Sequence, residues 1–389
     1  MRDLTVLISG AGIAGPALAH WLTRHNNHPT IIERAQTIRP GGQAVDFRGA
    51  PQLEVLTRMG ILDAIRQAQT HMGDIKIVDG HGRRLSSLPS AAFSGEVEIL
   101  RGDLSRILHD AAPAEYLFGD SITTLTETAH GVHVTFERSA PRTFDLVVGA
   151  DGIRSKIREL AFGDTPAQTR HLGMYGAIFS VPGTYGLDHE GVMYSEPARC
   201  ATIVSTGGRT RAALDFAAPP LTYDHRDRAR QQALVEEAFA GAGWEVPRLL
   251  RQMREAGDFY FAPAAQIVLP AYSSGRVALL GDAGHAPGPG GMGTGLALIG
   301  AYVLAGELAE ADDHETAFSR YESRMRPYVT TCQRQARGAD TFLVPRKKSQ
   351  IWRRNQMMRL LPYMPGKSLI KRMTERAASA IDLRSYATP

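Results

Sequence analysis

Cysteine is nearly absent from this chain: Cys200 and Cys332 are the only two in 389 residues. They match no metal-ligand spacing and provide no disulfide framework, so a reducing, cytoplasmic setting is the expectation. Tryptophan is scarce as well, with Trp21, Trp244 and Trp352 standing far apart. No long apolar run is present. The richest helical stretch, Leu296 to Leu308, contains Glu307 and falls short of the ~20 residues that a membrane span needs. The first apolar run, Leu4 to Ser9, passes directly into a glycine turn, which speaks against a secretory signal. Internal repeats, low-complexity segments, a Ser-His-Asp set and a metal-ligand cluster are all missing. What is there suits a folded protein of one or two domains, with 43% hydrophobic and 22% charged residues.

Charge is spread unevenly. Residues 346–376 hold ten lysines and arginines against one acid, Glu375, whereas acids outnumber bases in the rest. A basic tail can serve nucleic acid or an anionic membrane. Here the bases alternate with Ile351, Trp352, Met357, Met358, Leu360, Leu361, Leu369, Ile370 and Met373. That pattern predicts an amphipathic helix packed on its own protein with a solvated basic face, and no nucleic-acid partner.

Leu4–Ser9 reads as a buried strand, Pro16–His25 as a helix and Thr30–Glu33 as a second strand. Between them Gly10-Ala-Gly-Ile-Ala14-Gly15 forms a dinucleotide fingerprint. Gly10 serves the tight turn, Gly12 close approach to a pyrophosphate, and Gly15 close packing of helix on strand. Glu33 ends the second strand where an acid binds the adenosine ribose, and its charge disfavours a 2′-phosphate. A second unit lies some 270 residues on: a buried strand at Val277–Leu280, then Gly281-Asp282, a loop with Pro289, Gly291, Met292 and Gly293, and a helix from Leu296. An acid and a helix N-terminus in that order suit the ribityl hydroxyls and the developing negative charge of a reduced flavin. Two such units imply one long cofactor, FAD, held from both ends of the chain.

Four motifs taken together resemble the class A flavoprotein monooxygenases, aromatic hydroxylases related to p-hydroxybenzoate hydroxylase. They are Gly10–Gly15 with Glu33-Arg34, Arg101 in Ile-Leu-Arg-Gly-Asp-Leu, Asp151-Gly152-Ile-Arg-Ser-Lys-Ile-Arg158, and Gly281-Asp282 with Pro289. Within the group, Gly41–Arg48 and Glu98–Arg101 look most like tetracycline-inactivating and polyketide-tailoring enzymes. The resemblance implies an α/β fold: a Rossmann-like FAD-binding domain, an inserted antiparallel-sheet substrate domain and a C-terminal bridging helix. The expected boundaries are 1–73, 98–173 and 266–345 for the first, 74–97 and 174–265 for the second, and 346–389 for the tail.

Carried over residue by residue, the resemblance gives Glu33 and Arg34 to the adenosine end of FAD, and Arg101 and Asp282 to its ribityl chain and pyrophosphate. It puts Asp151 on the other side of the pyrophosphate, Asp46 near the flavin, and Arg39 where NADPH docks. Tyr175, Phe179, Met193, Phe216, Phe259, Tyr260 and Met292 are expected to wall an apolar substrate pocket, with Arg199 contacting substrate. Two departures stand out. Gly295 occupies a place where many relatives carry Asn, after a loop one residue shorter, and Ile178 stands on a strand where some relatives place Gln. His285 is expected to bond its own backbone rather than act in catalysis.

With a single fingerprint, NADPH or NADH must dock transiently to reduce the flavin. The resemblance then implies attack by a flavin C4a-hydroperoxide, formed with molecular oxygen, on a phenolic or enolic polycyclic small molecule. A tetracycline-type antibiotic or an aromatic polyketide fits that description. Since the cofactor does the chemistry, no catalytic side chain is expected. The Trp-x-Trp-x-Ile-Pro signature of flavin halogenases is missing. A flavin reductase without oxygen insertion, or an FAD-containing drug-binding protein, would share the same motifs. The chain is expected to be a monomer or weak dimer.

Overall fold

Val6, Leu7 and Ile8 are wholly buried, as expected of a parallel strand covered on both faces. Their strand, Thr5–Ser9, lies inside a six-stranded sheet ordered Ser273–Ser274, Val277–Leu279, Leu146–Gly149, Thr5–Ser9, His28–Glu33, Glu115–Phe118. Every neighbouring pair is parallel except the short Ser273–Ser274 edge. The computed structural model describes residues 1–38, 41–90, 95–163, 168–360 and 376–386. The helix Ala14–Arg24 packs against the long helix Gly293–Glu310, which in turn packs on His314–Gln335. Both packing faces use alanine and glycine, so the helices approach closely. The two cofactor motifs thus come together although about two thirds of the chain separates them.

A seven-stranded sheet forms the second layer, ordered Tyr260–Ile267, Thr169–Val181, Arg209–Ala217, Arg199–Thr206, Glu190–Glu196, Ile75–Val78, Arg84–Leu88. All its pairs are antiparallel except Glu190–Glu196 with Ile75–Val78. Strand alternation divides its side chains. Tyr175, Phe179, Leu214, Phe216 and Ile203 point to one face, where the helices Arg228–Ala238 and Val246–Glu255 cover them. Met174, Met193, Cys200, Ile75 and Ile77 point to the other, with Val344 and Met358.

The sequence does not announce the short strands Arg84–Leu88 and Glu115–Phe118. Both are edge strands with partly exposed residues, so neither shows clean alternation. The helix Val246–Glu255 was equally unforeseen, though Val246, Leu249 and Met253 recur at helical spacing and are fully buried.

The C-terminal residues touch both layers. The helix Lys348–Leu360 lies on Arg84–Leu88 and Glu190–Glu196. It departs from the expected amphipathic pattern at two places: Arg354 is buried, donating to Ser195 Oγ at 2.9 Å and the Phe342 carbonyl at 3.0 Å, while Trp352 is 63% exposed. Leu361, Leu369, Ile370 and Met373 lie outside the described residues. Further on, Tyr386 packs on Gly306 of the long helix and donates to Glu307 at 2.7 Å. Among the described residues no helix is long and apolar enough to cross a membrane.

Candidate functional site

The glycine turn is set by contact between strand ends. Gly10 has φ +109°, and a Cβ there would stand 2.5 Å from the Ala150 carbonyl oxygen. A Cβ on Gly15 would lie 2.0 Å from the Gly10 carbonyl oxygen, so the helix can begin only with glycine at that point. The helix Ala14–Arg24 then starts without a side-chain cap. Its free amides form an anion-binding end. Glu33 braces the turn, its two carboxylate oxygens accepting from Ala11 N and Ala35 N, each at 2.9 Å. Arg34 beside it is exposed.

Arg101 opens the helix Arg101–Asp110 and projects over this turn. Its stem lies against Gly42, and its guanidinium is 3.4 Å from where a Gly12 Cβ would be. Among the described residues no hydrogen bond engages that guanidinium, a cation beside the helix N-terminus. Asp46 sits on the strand Ala44–Phe47 and is ion-paired with Arg48. Arg39 lies outside the described residues.

The second motif closes the other side. Gly281, at φ +62°, brings the chain within contact of Ala14 Cβ. Asp282 follows with an exposed surface. Desolvation nonetheless raises its carboxyl above the ordinary range, and Arg101 pulls it back down. Asp282 Oδ1 is 3.5 Å from the position of a Gly293 Cβ, so it adjoins the start of the Gly293–Glu310 helix. That helix also lacks a side-chain cap, and Met292 ahead of it adopts a left-handed conformation at φ +58°. Pro289 is half-buried and Gly291 buried in the same loop.

Asp151 is taken up by its own loop. It accepts from Ser155 Oγ and from Lys156 N at 2.7 Å, ahead of the helix Lys156–Phe162. Burial nonetheless raises its carboxyl. Arg158, which the sequence reading left without a role, ties the two motifs together. Fully buried, it donates to the carbonyls of Ala283 and Ile153, both at 3.0 Å. His285 is structural: its Nε2 meets Tyr321 Oη at 3.1 Å, and burial pushes it down to about 4.

The expected substrate wall is divided by the sheet. Tyr175, Phe179 and Phe216 lie in the sealed core under the helices, and Tyr175 Oη accepts from Leu221 N at 2.7 Å. Arg199 also points that way, ion-paired with Glu196 and donating to the carbonyls of Ala238 and Ala240 at the end of a helix. Phe259 edges the same core and Tyr260 is exposed. Tyr175, Phe179, Phe216, Phe259 and Arg199 are therefore on the covered face, whereas Tyr260, paired with Ile178, is on the other. Large aromatics go where a helix can cover them, which is the face away from the cofactor motifs. Met193 lies on the cofactor-facing side with Met174 and Cys200. Leu172, packed with that group, touches the glycine loop, its Cδ1 lying 2.6 Å from where a Gly288 Cβ would be. Met292 is on the loop itself, 3.7 Å from Gln52 Nε2.

A family model described as an FAD binding domain matches residues 3–336. An uncharacterized protein of Mycobacterium tuberculosis is 43% identical, covering 84% of this chain and 90% of its own. A flavin-dependent monooxygenase of Legionella longbeachae is 37% identical, covering 86% and 88%. Among solved structures, tetracycline destructase Tet(51) superposes with a TM-score of 0.88 at 30% identity, covering 99% of this chain and all of the other.

Proposed function

Because the chain belongs to the family of FAD-dependent monooxygenases, we propose that it hydroxylates an aromatic or enolic polycyclic compound at the expense of NADPH or NADH. The observation that carries this reading is the meeting of two uncapped helix starts, Ala14–Arg24 and Gly293–Glu310, with Arg101 beside the first and Asp282 beside the second. A tetracycline-type antibiotic or an aromatic polyketide is the substrate class favoured, since the likeness to a tetracycline destructase extends over the whole chain.

The residues fit FAD. Glycines at 10, 12 and 15 leave the approach to the uncapped helix end clear for a pyrophosphate. Glu33 would take the adenosine ribose hydroxyls while it braces the turn, with Arg34 beside it. Arg101 would neutralise the pyrophosphate, and Asp282 would accept from the ribityl chain. The amides that open the Gly293–Glu310 helix would face the flavin's pyrimidine edge and stabilise negative charge there. Bound FAD supplies the redox chemistry, accepting hydride and passing oxygen to the substrate. The protein's share is to hold the substrate carbon in reach and to keep water out with Met174, Met193 and Leu172.

The test is NADPH consumption by the FAD-loaded protein, followed by mass spectrometry, on a panel of tetracyclines, anthracyclines and simple phenols. One oxygen atom gained per NADPH is the expected result. Peroxide release without product for every compound would overturn the reading.

A further inference from the structure

The cofactor-facing side of the large sheet contains a carboxylate that no hydrogen bond or ion pair engages among the described residues. Asp215 lies in the strand Arg209–Ala217, between Gly176 of one neighbouring strand and Cys200 of the other. Its row on that strand includes Arg209, which reaches across to Asp103 of the FAD-binding domain at 2.7 Å. The intervening row, Ala212, Leu214 and Phe216, is sealed under the helices. Asp215 therefore looks toward the FAD-binding domain, beside Met174, Cys200 and Ala217.

Its neighbour supplies the room. A Cβ on Gly176 would stand 2.6 Å from Asp215 Oδ1, so the carboxylate leans into space that even alanine would close. The residue keeps a partly open surface, with neither a hydrogen bond nor an ion pair among the described residues. A carboxylate so placed is costly unless a ligand supplies its partner. Burial pushes its carboxyl up to about 7. The titratable or charged groups on that side among the described residues include Cys200, which burial also pushes up, Arg354 beyond it, Arg346 at Gly173 of the neighbouring strand, and along the row Arg211, which faces Asp258 at 3.7 Å, and Arg209 with Asp103.

We propose that Asp215 is a catalytic residue that accepts the proton of the substrate's phenol or enol hydroxyl. The substrate O–H bond breaks, its electron pair stays on oxygen, and the proton passes to a carboxylate oxygen of Asp215. The phenolate or enolate formed raises electron density on the carbon that takes up oxygen. The proton leaves to solvent before the next turnover. The inference rests on the hydroxylation reading and narrows the substrate to a compound whose ionisable hydroxyl is conjugated with the carbon attacked.

The experiment compares FAD-loaded wild-type protein with D215N and D215E, without NADPH, using tetracycline and 1,8-dihydroxyanthraquinone as probes. Ionisation of either probe shifts its absorption to the red. At pH 7.5 the wild type is expected to bind at least one probe in its red-shifted form, D215N to bind it unshifted, and D215E to restore part of the shift. In turnover, D215N should lose roughly 10²-fold in kcat near pH 7 and recover as rising pH ionises the probe in solution. Identical bound spectra in wild type and D215N, or no shift by the wild type with either probe, would overturn the proposal. A wild-type shift without oxygenated product would keep Asp215 as the proton acceptor and sink the oxygenase reading instead. A D215N melting temperature no lower than that of the wild type separates these outcomes from misfolding.

Discussion

Gln52 fills the space that a side chain on Gly295 would need. A Cβ at position 295 would lie 2.3 Å from the Gln52 amide carbon, and Gln52 is completely buried. Its amide donates to Tyr328 Oη at 3.2 Å and accepts from Arg48 N at 3.0 Å. The departure at Gly295 is thus matched by a partner from a different segment. Gly295→Ala should displace Gln52 and cost about 1–3 kcal/mol as overpacking of a tight core. Thermal melts measure the loss, and G295A combined with Q52A should recover part of it.

Glu33 gives a second prediction. Its carboxylate holds two backbone amides of the fingerprint region at 2.9 Å. Glu33→Gln keeps the shape but supplies an N–H where an acceptor is needed. FAD retention should weaken roughly tenfold, the scale of one charge-assisted hydrogen bond, while apo-protein melting shifts little. Flavin fluorescence titration reads the change.

Asp215 also affects stability, and the sign follows from its raised carboxyl. Below about pH 4 the residue is protonated in both folded and unfolded chains and contributes nothing. As pH rises towards about 7 the unfolded chain releases its proton first, so folding stability falls; above that the deficit is constant. Asp215→Asn should therefore stabilise the protein at pH 8, by about 2 kcal/mol once solvent reaching the carboxylate is allowed for. The gain should vanish at pH 4. Chemical denaturation of both proteins across that range is the check.

Tyr386 anchors the last described residues. Its hydroxyl donates to Glu307, which is fully buried and also ion-paired with Arg324. Glu307 Oε2 already lacks a partner. Tyr386→Phe should cost about 1.5–3 kcal/mol through the lost hydrogen bond to a charged acceptor, which Arg324 still engages, and removal of residues 376–389 should cost more. Circular-dichroism melts of the two variants would show the order.

Much of the cofactor site was legible because its chemistry is local. Gly10, Gly12, Gly15, Glu33 and Asp282 each sit at a strand end beside a helix start, and periodicity marks both. The substrate side was not legible for a reason of parity. Alternation separates Phe216 from Asp215, but it does not say which row a helix will cover and which will face the cofactor motifs. Choosing the aromatics as the wall selected the covered row. Arg354 and Trp352 show the same limit, since the burial of the arginine depends on Ser195 and Phe342 carbonyl partners that no helical pattern encodes.

The meeting of Gly281 with Ala14 has a consequence for the order of synthesis. The Thr5–Ser9 strand and its helix leave the ribosome early, but Val277–Leu279 and the Gly293–Glu310 helix must follow before the nucleotide cleft has two sides. Contacts so distant along the chain form slowly, because a long loop must close before they repay it. The inserted sheet, whose strands between residues 169 and 267 pair in near-consecutive hairpins, can form while that loop is still open. Cofactor capture is then a late event in the life of the nascent chain, and a scarcity of FAD would be felt by a molecule already largely folded.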